Sequence, residues 1–291
     1  MSSRSNSAGG RFSSYLQVAP MALLMFTLVG IPLVIVVLLS FWQTDGITIY
    51  REFTWSNYAS VLNSPVTLAL FIKTIKFALI TLIITTIIGF TCSYFLVFYV
   101  RNLKLQIGLL LVCTIPFWTS DVIRMVSWIP FLGREGIFNS ILMRLGLISH
   151  PLSVLLYSDF SVVLAYVYLF TLFMIVPIFN SMSKINPNII EAARDAGASK
   201  WMILTNLIVP LCKTGIALGS IFVVTLVMGD FFVVNVMSGG QSASVVSAMK
   251  NNIDQLYYPQ AAAMAILLVV LVLLLVTAIL RVVDIRRELA R

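Results

Sequence analysis

Charge is what this sequence has least of. Only 10% of its 291 residues are Asp, Glu, Lys or Arg, against about a quarter in an ordinary soluble domain. So few charges cannot cover the surface of a water-soluble globule, and 60% of the residues are hydrophobic. A lipid solvent is therefore the first inference. Histidine is scarcer still. His150 stands alone, in a loop before Pro151, so a multi-histidine metal site is excluded, and a Ser-His-Asp arrangement could use only that residue. Cys92, Cys113 and Cys212 show no Cys-x-x-Cys spacing and lie in or beside apolar runs, where thiols act as small apolar side chains. There is no G-x-x-x-x-G-K-[ST] and no Gly-Lys pair, so ATP hydrolysis by the P-loop route is excluded.

What is present is long apolar runs. After the Ser-rich first ten residues and Arg11, no charge occurs until Asp45, a gap of 33 residues. That is too long for a signal-peptide core, and no A-x-A site follows, so it reads as an uncleaved first span. Six segments meet the ~20-residue requirement for crossing a bilayer: Leu16–Phe41, Phe77–Val100, Leu105–Pro130, Ser161–Phe179, Gly215–Met237 and Ala261–Leu280. The second, fourth and sixth fall in charge-free gaps of 24, 24 and 26 residues. The third and fifth each contain an acid, Asp121 and Asp230. The expected fold class is all-α, a polytopic membrane protein with six transmembrane helices and both termini cytoplasmic. Residues 1–15 form a tail, 16–285 the membrane domain and 286–291 a second tail. Gly136–Leu147 has helical apolar spacing and reads as a short helix lying at the outer interface.

With the N-terminus inside, twelve of the 19 basic residues and four of the 11 acids fall on the cytoplasmic side. The whole net charge of +8 then lies inside, and the remainder balances. The positive-inside rule explains this without nucleic acid as a partner.

Residues 183–213 are the one substantial cytoplasmic segment and read as two short helices. Asn186 can cap the first, with Pro187 at its first helical position. Gly197 suits a left-handed residue beyond its end. Ser199 can cap the second helix, and Pro210 helps to end it. Ala192, Ala193 and Ala196 leave the first helix thin enough to sit close to a partner. This segment resembles the EAA loop of ABC importer permeases, which reads E-A-A, three residues, G, nine residues, then I-x-L-P. Glu191, Ala192, Ala193, Gly197 and Pro210 match at that spacing, and Leu207 and Val209 replace the Ile and Leu.

The likeness extends over roughly residues 15–285. Pro116-Phe-Trp-Thr-Ser-Asp121-Val-Ile-Arg124, Gly136-Ile-Phe-Asn139 and Gly229-Asp230-Phe231 with Gly239-Gly240 resemble the spermidine/putrescine-type permeases, and among them the first permease of the pair. Val233-Val-Asn-Val departs from the pattern, which more often has proline after Gly-Asp-Phe. The resemblance implies a type I ABC importer permease in the bacterial inner membrane. It also implies a cytoplasmic ATPase dimer, a second and non-identical permease, and a periplasmic binding protein. ATP and Mg would be bound by the ATPase chains, and this chain would need no cofactor. By the same resemblance, Glu191, Ala192, Ala193, Asp195 and Gly197 would dock the ATPase.

Asp121 lies 17 residues after Lys104, and Asp230 lies 17 after Lys213. On straight helices both acids would sit ~25 Å from the cytoplasmic end. A lone carboxylate in hydrocarbon costs about 2.5–3.5 kcal/mol even on the lower scale, so each is expected to face a cavity or a partner. A polar pathway for a cationic solute is one reading, with Asp230 the better candidate. Phe117, Trp118, Phe231 and Phe232 stand ready for cation–π contact. The plainer alternatives are an i,i+3 ion pair of Asp121 with Arg124, a backbone hydrogen bond to Asp230, and aromatic side chains that only pack. Lys73 and Lys76 are expected to snorkel to headgroups. A secondary transporter is the competing class but gives the EAA loop no role. An intramembrane enzyme lacks its catalytic cluster. Other small solutes, including amino-acid-like amines, aminophosphonates and anions, are alternatives to a polyamine.

Overall fold

The structure, a computed structural model, describes residues 18–283. The expected tails, 1–15 and 286–291, lie outside the described residues. Among the described residues, four helices are long and apolar enough to cross a membrane: α1 (Val18–Ser40), α3 (Pro65–Phe98), α7 (Asp159–Met182) and the segment Tyr258–Arg281, which belongs to α13 (Tyr258–Val283). Two sharply bent pairs bring the number to six if each is one span. The first pair joins α4 (Leu103–Thr114), and the 3-10 turn Ile115–Trp118 after it, to α5 (Asp121–Leu132) and α6 (Ile137–Arg144) at 89°. The second joins α9 (Lys200–Leu211) to α10 (Lys213–Met228) at 64°. Short helices complete the chain: α2 (Ser56–Asn63), α8 (Pro187–Asp195), α11 (Phe232–Ser238) and α12 (Val245–Asp254).

The chain divides into two compact units. One comprises the described residues up to Ser64 with Met249–Leu267. In it, β1 (Gln43–Thr44) pairs antiparallel with β2 (Ile49–Tyr50). Asp45 makes the turn: its Oδ1 accepts the Ile47 and Thr48 amides at 2.9 and 2.7 Å, and its Oδ2 the Tyr50 hydroxyl at 3.0 Å. Gly46, at φ +88°, supplies the left-handed residue the turn needs. Asn57 ties α2 to the end of α1 by donating to the carbonyls of Ser40 and Trp42 at 2.9 and 2.7 Å.

The other unit, Pro65–Ala248 with Leu268 onward, holds the main helical core. Here α3, α7 and α10 pack backbone to backbone through small residues, since apolar burial gives little drive between helices in lipid. A Cβ on Gly89 would lie 2.9 Å from Met174 Cγ. A Cβ on Gly215 would collide with the Pro177 carbonyl oxygen and with Ser181. Ser93 donates across to the Ile175 carbonyl at 3.1 Å, and Ser161 to that of Met237 at 2.8 Å. Met174, Ile178, Val162 and Val223 are fully buried at this centre.

Two expected spans are not single helices. The third, Leu105–Pro130, breaks at Thr119–Ser120, both of which are extended. Pro116 lies inside the 3-10 turn Ile115–Trp118 that precedes this break. The fifth, Gly215–Met237, ends as a helix at Met228 and restarts at Phe232. The second helix of the 183–213 segment passes Pro210 and ends at Leu211, with a π turn at Leu204–Ile208. That wider turn removes the clash a proline makes with the preceding carbonyls.

Candidate functional site

The break after Met228 carries the buried acid. Asp230 is half-buried, and its Oδ1 accepts the Val233 amide at 2.8 Å and the Tyr166 hydroxyl at 3.2 Å. The first bond satisfies an amide that the opening turn of α11 leaves free. The second reaches α7, where Tyr166 is 1% exposed. The Ser244 hydroxyl donates to the Asp230 carbonyl at 3.3 Å, and Ser238 to that of Ser242 at 3.0 Å. Gly239 and Gly240, both at positive φ, turn the chain between these serines. The expected backbone hydrogen bond to Asp230 is present, and so is a partner on another helix.

The other acid is placed differently from expectation. Asp121 opens α5 after the 89° break, so a depth counted along one straight helix from Lys104 does not apply. Its side chain is 65% exposed and pairs with Arg124 three residues on, whose own side chain is 6% exposed. The guanidinium also stacks over Phe117, 5.0 Å from the ring centroid.

From Phe117 a line of rings leads to Asp230. Phe117 meets Phe173 edge-on at 5.4 Å, Phe173 lies 6.3 Å from Phe170, and Phe170 stacks on Tyr166 at 5.7 Å. The structure thus joins Asp121, Phe117 and Asp230 through three rings of α7. Trp118 is 84% exposed, and Phe231 is half-buried beside Asp230 in sequence. Sequence reasoning missed Tyr166, Phe170 and Phe173. The available signal was a tyrosine in the middle of an apolar span, because a buried phenol needs a hydrogen-bond partner. Lys73 does not simply snorkel: it pairs with Asp159 at 3.1 Å and lies 5.8 Å from the Phe77 ring.

The caps of the 183–213 segment form as its sequence predicts, although its second helix runs past Pro210. Asn186 accepts the Asn188 amide at 3.0 Å, and Pro187 begins α8. The Gly197 and Ala198 amides donate back to the Arg194 and Ala193 carbonyls at 2.9 and 3.0 Å, with Gly197 at φ +85°. That pair of bonds is a Schellman cap. Ser199 then caps α9 by accepting the Met202 amide at 3.2 Å. Glu191, Ala192, Asp195 and Gly197 are exposed and Ala193 is half-exposed, which leaves this helix face open. Among the described residues no group of three His, Cys, Asp or Glu side chains could hold a metal ion.

The fold is that of ABC transporter permease chains. A bacterial ABC transporter for alginate, solved with a pentasaccharide-bound periplasmic protein, has a chain that superposes with a TM-score of 0.72 at 13% identity. That match covers 96% of each chain. No protein-family profile matches the sequence. Curated relatives do match. The spermidine/putrescine transport system permease PotB of Salmonella typhimurium is 30% identical over 208 residues, 72% of this chain and 71% of that one. PotB of Haemophilus influenzae is 31% identical over 222 residues, 76% of each. The chain belongs to the PotB family of ABC importer permeases, multi-pass proteins of the inner membrane.

Proposed function

We propose that this chain is one of two non-identical permeases of an ATP-driven importer, and that its solute is a small polyamine of the spermidine or putrescine kind. A periplasmic binding protein would deliver the solute, and a cytoplasmic ATPase dimer holding ATP and Mg would drive the cycle. The observation that carries the substrate class is Asp230. It is a carboxylate at a helix break in a membrane core, hydrogen-bonded to buried Tyr166 and backed by aromatic rings. A carboxylate beside π faces suits an alkylammonium group, which gains from both. The names of the PotB relatives support the same class.

The exposed face of α8, with Glu191, Ala192, Ala193, Asp195 and Gly197, would receive the push of the closing ATPases. The test is uptake of radiolabelled spermidine into vesicles holding the complete complex with its binding protein. ATP-dependent accumulation is the expected result. ATP hydrolysis stimulated by the binding protein without spermidine uptake would keep the machine and remove the substrate.

A further inference from the structure

One cavity has no part in the pathway just described. It measures about 390 Å³ and lies between α3 and α9, lined by Phe90, Thr91 and Tyr94 on one side and Lys200, Trp201 and Leu204 on the other. Its chemistry is graded along α3. Ile83 and Ile87, 59% and 62% exposed, precede the cavity on the same helix, and Phe95 and Tyr99 follow at 54% and 67%. Phe90 and Tyr94 stack at 6.5 Å, and Tyr94 continues to Phe98 at 5.1 Å. Beyond the end of α3 come Arg101 and Lys104. Lys200 is exposed at the cavity wall, beside a Trp201 that is 72% exposed. Apolar surface toward one end, amphipathic rings in the middle and basic side chains at the other end form the profile of a membrane–water interface.

We propose that this cavity binds an anionic phospholipid of the cytoplasmic leaflet. The phosphate would pair with the Lys200 ammonium, the glycerol region would pack against Tyr94 and Trp201, and an acyl chain would run from Phe90 and Leu204 along the exposed Ile87 face. The volume suits a headgroup and the first carbons of one chain, with the rest of the lipid in the bilayer. Basic pockets on the cytoplasmic side of membrane helices recognise anionic headgroups in this way. A soluble subunit could cover Lys200 and Trp201, but it could not follow the apolar face of α3 into the bilayer. The inference rests on the transport reading only for orientation, which puts α9 on the cytoplasmic side. Its consequence is that a lipid ties the second helix of the coupling segment to a membrane-spanning helix.

The test uses the complete complex in vesicles of equal parts phosphatidylcholine and phosphatidylglycerol. The complex is extracted and its retained lipids counted by native mass spectrometry. Lys200→Gln is expected to lower phosphatidylglycerol retention roughly fivefold, the effect of one basic group at an anionic surface. Trp201→Ala should lower retention of both lipids, and Lys250→Gln, at a lysine ion-paired with Asp254, should change neither. Equal phosphatidylglycerol retention by the wild type and Lys200→Gln would overturn the proposal. So would a photoreactive residue at position 201 that cross-links only to a protein subunit. Spermidine uptake measured on the same vesicles separates the two claims. Uptake without phosphatidylglycerol retention removes the lipid site alone, and retention without uptake removes the polyamine reading alone.

Discussion

Asp230 Oδ1 accepts hydrogen bonds from the Val233 amide and the Tyr166 hydroxyl. The two bonds hold the carboxylate, whose charge a substrate ammonium would meet in the proposed pathway. Asp230→Asn keeps the shape and removes the charge. Hydrogen bonds to charged groups are worth about 1.5–3 kcal/mol, so solute affinity should fall roughly ten- to hundredfold while the complex still assembles. Concentration-dependent uptake measures this, and unchanged uptake would remove Asp230 from the pathway. Tyr166→Phe removes one hydrogen bond to the same carboxylate, a long one at 3.2 Å, and should cost about tenfold, the lower end of that range.

Asp45, outside the spans, gives a pH prediction. The Thr48 amide, then the Ile47 amide and the Tyr50 hydroxyl, hold its carboxyl below the usual carboxylate range. A lowered folded-state value means the turn gains support above the ordinary carboxylate pKa, and loses it as pH falls through the lowered one. Exchange at the Ile47 and Thr48 amides, corrected for intrinsic rate, should accelerate on acidification. In Asp45→Ala, which has no side-chain acceptor for these amides, it should already be fast at neutral pH. Equal protection in that variant would contradict the account.

At the scale of elements, α8 and its cap test whether the 183–213 segment, proposed to couple to the ATPases, acts through its shape. A Cβ on Gly197 would meet no atom within 4 Å, so crowding is not at issue and only φ +85° constrains the residue. Gly197→Val should reposition α9 and uncouple ATP hydrolysis from the binding protein, because a β-branched residue resists the left-handed region. Gly197→Asn should retain coupling, since asparagine tolerates it. Normal binding-protein-stimulated hydrolysis in Gly197→Val would defeat the claim. Gly215→Val tests packing instead. The Pro177 carbonyl cannot move as a side chain can, so a loss of about 1–3 kcal/mol is expected, read as early thermal aggregation of the detergent-solubilised chain.

The caps of α8 and α9 were legible because Asn186, Pro187, Gly197 and Ser199 act through local rules. The long spans were legible for the same kind of reason, since twenty apolar residues need no partner to define a helix. The breaks at Thr119 and at Gly229–Phe231 were not. Pro116 and Gly229 each allow a continuous helix or a stop, and what decides is tertiary: Arg124 held over Phe117, and Asp230 held by Tyr166. The aromatic line through Phe170 and Phe173 was hidden because an apolar span does not show in its sequence which face meets which neighbour.

For the whole molecule, the central claim is that this chain works as one permease of a multi-subunit, ATP-driven machine. The sequence holds no nucleotide-binding loop of the P-loop type, while α8 presents an open, capped helix suited to docking. In the proposed machine the energy source is another chain. The most direct measurement is isolation of this subunit from its native membrane, with identification of the chains that come with it and assay of ATP hydrolysis with and without the binding protein. The account predicts a co-purifying ATPase and a second, different permease, with hydrolysis raised by the binding protein. Isolation of the intact subunit with no ATPase attached would contradict the assignment of the 183–213 segment, and the importer mechanism with it.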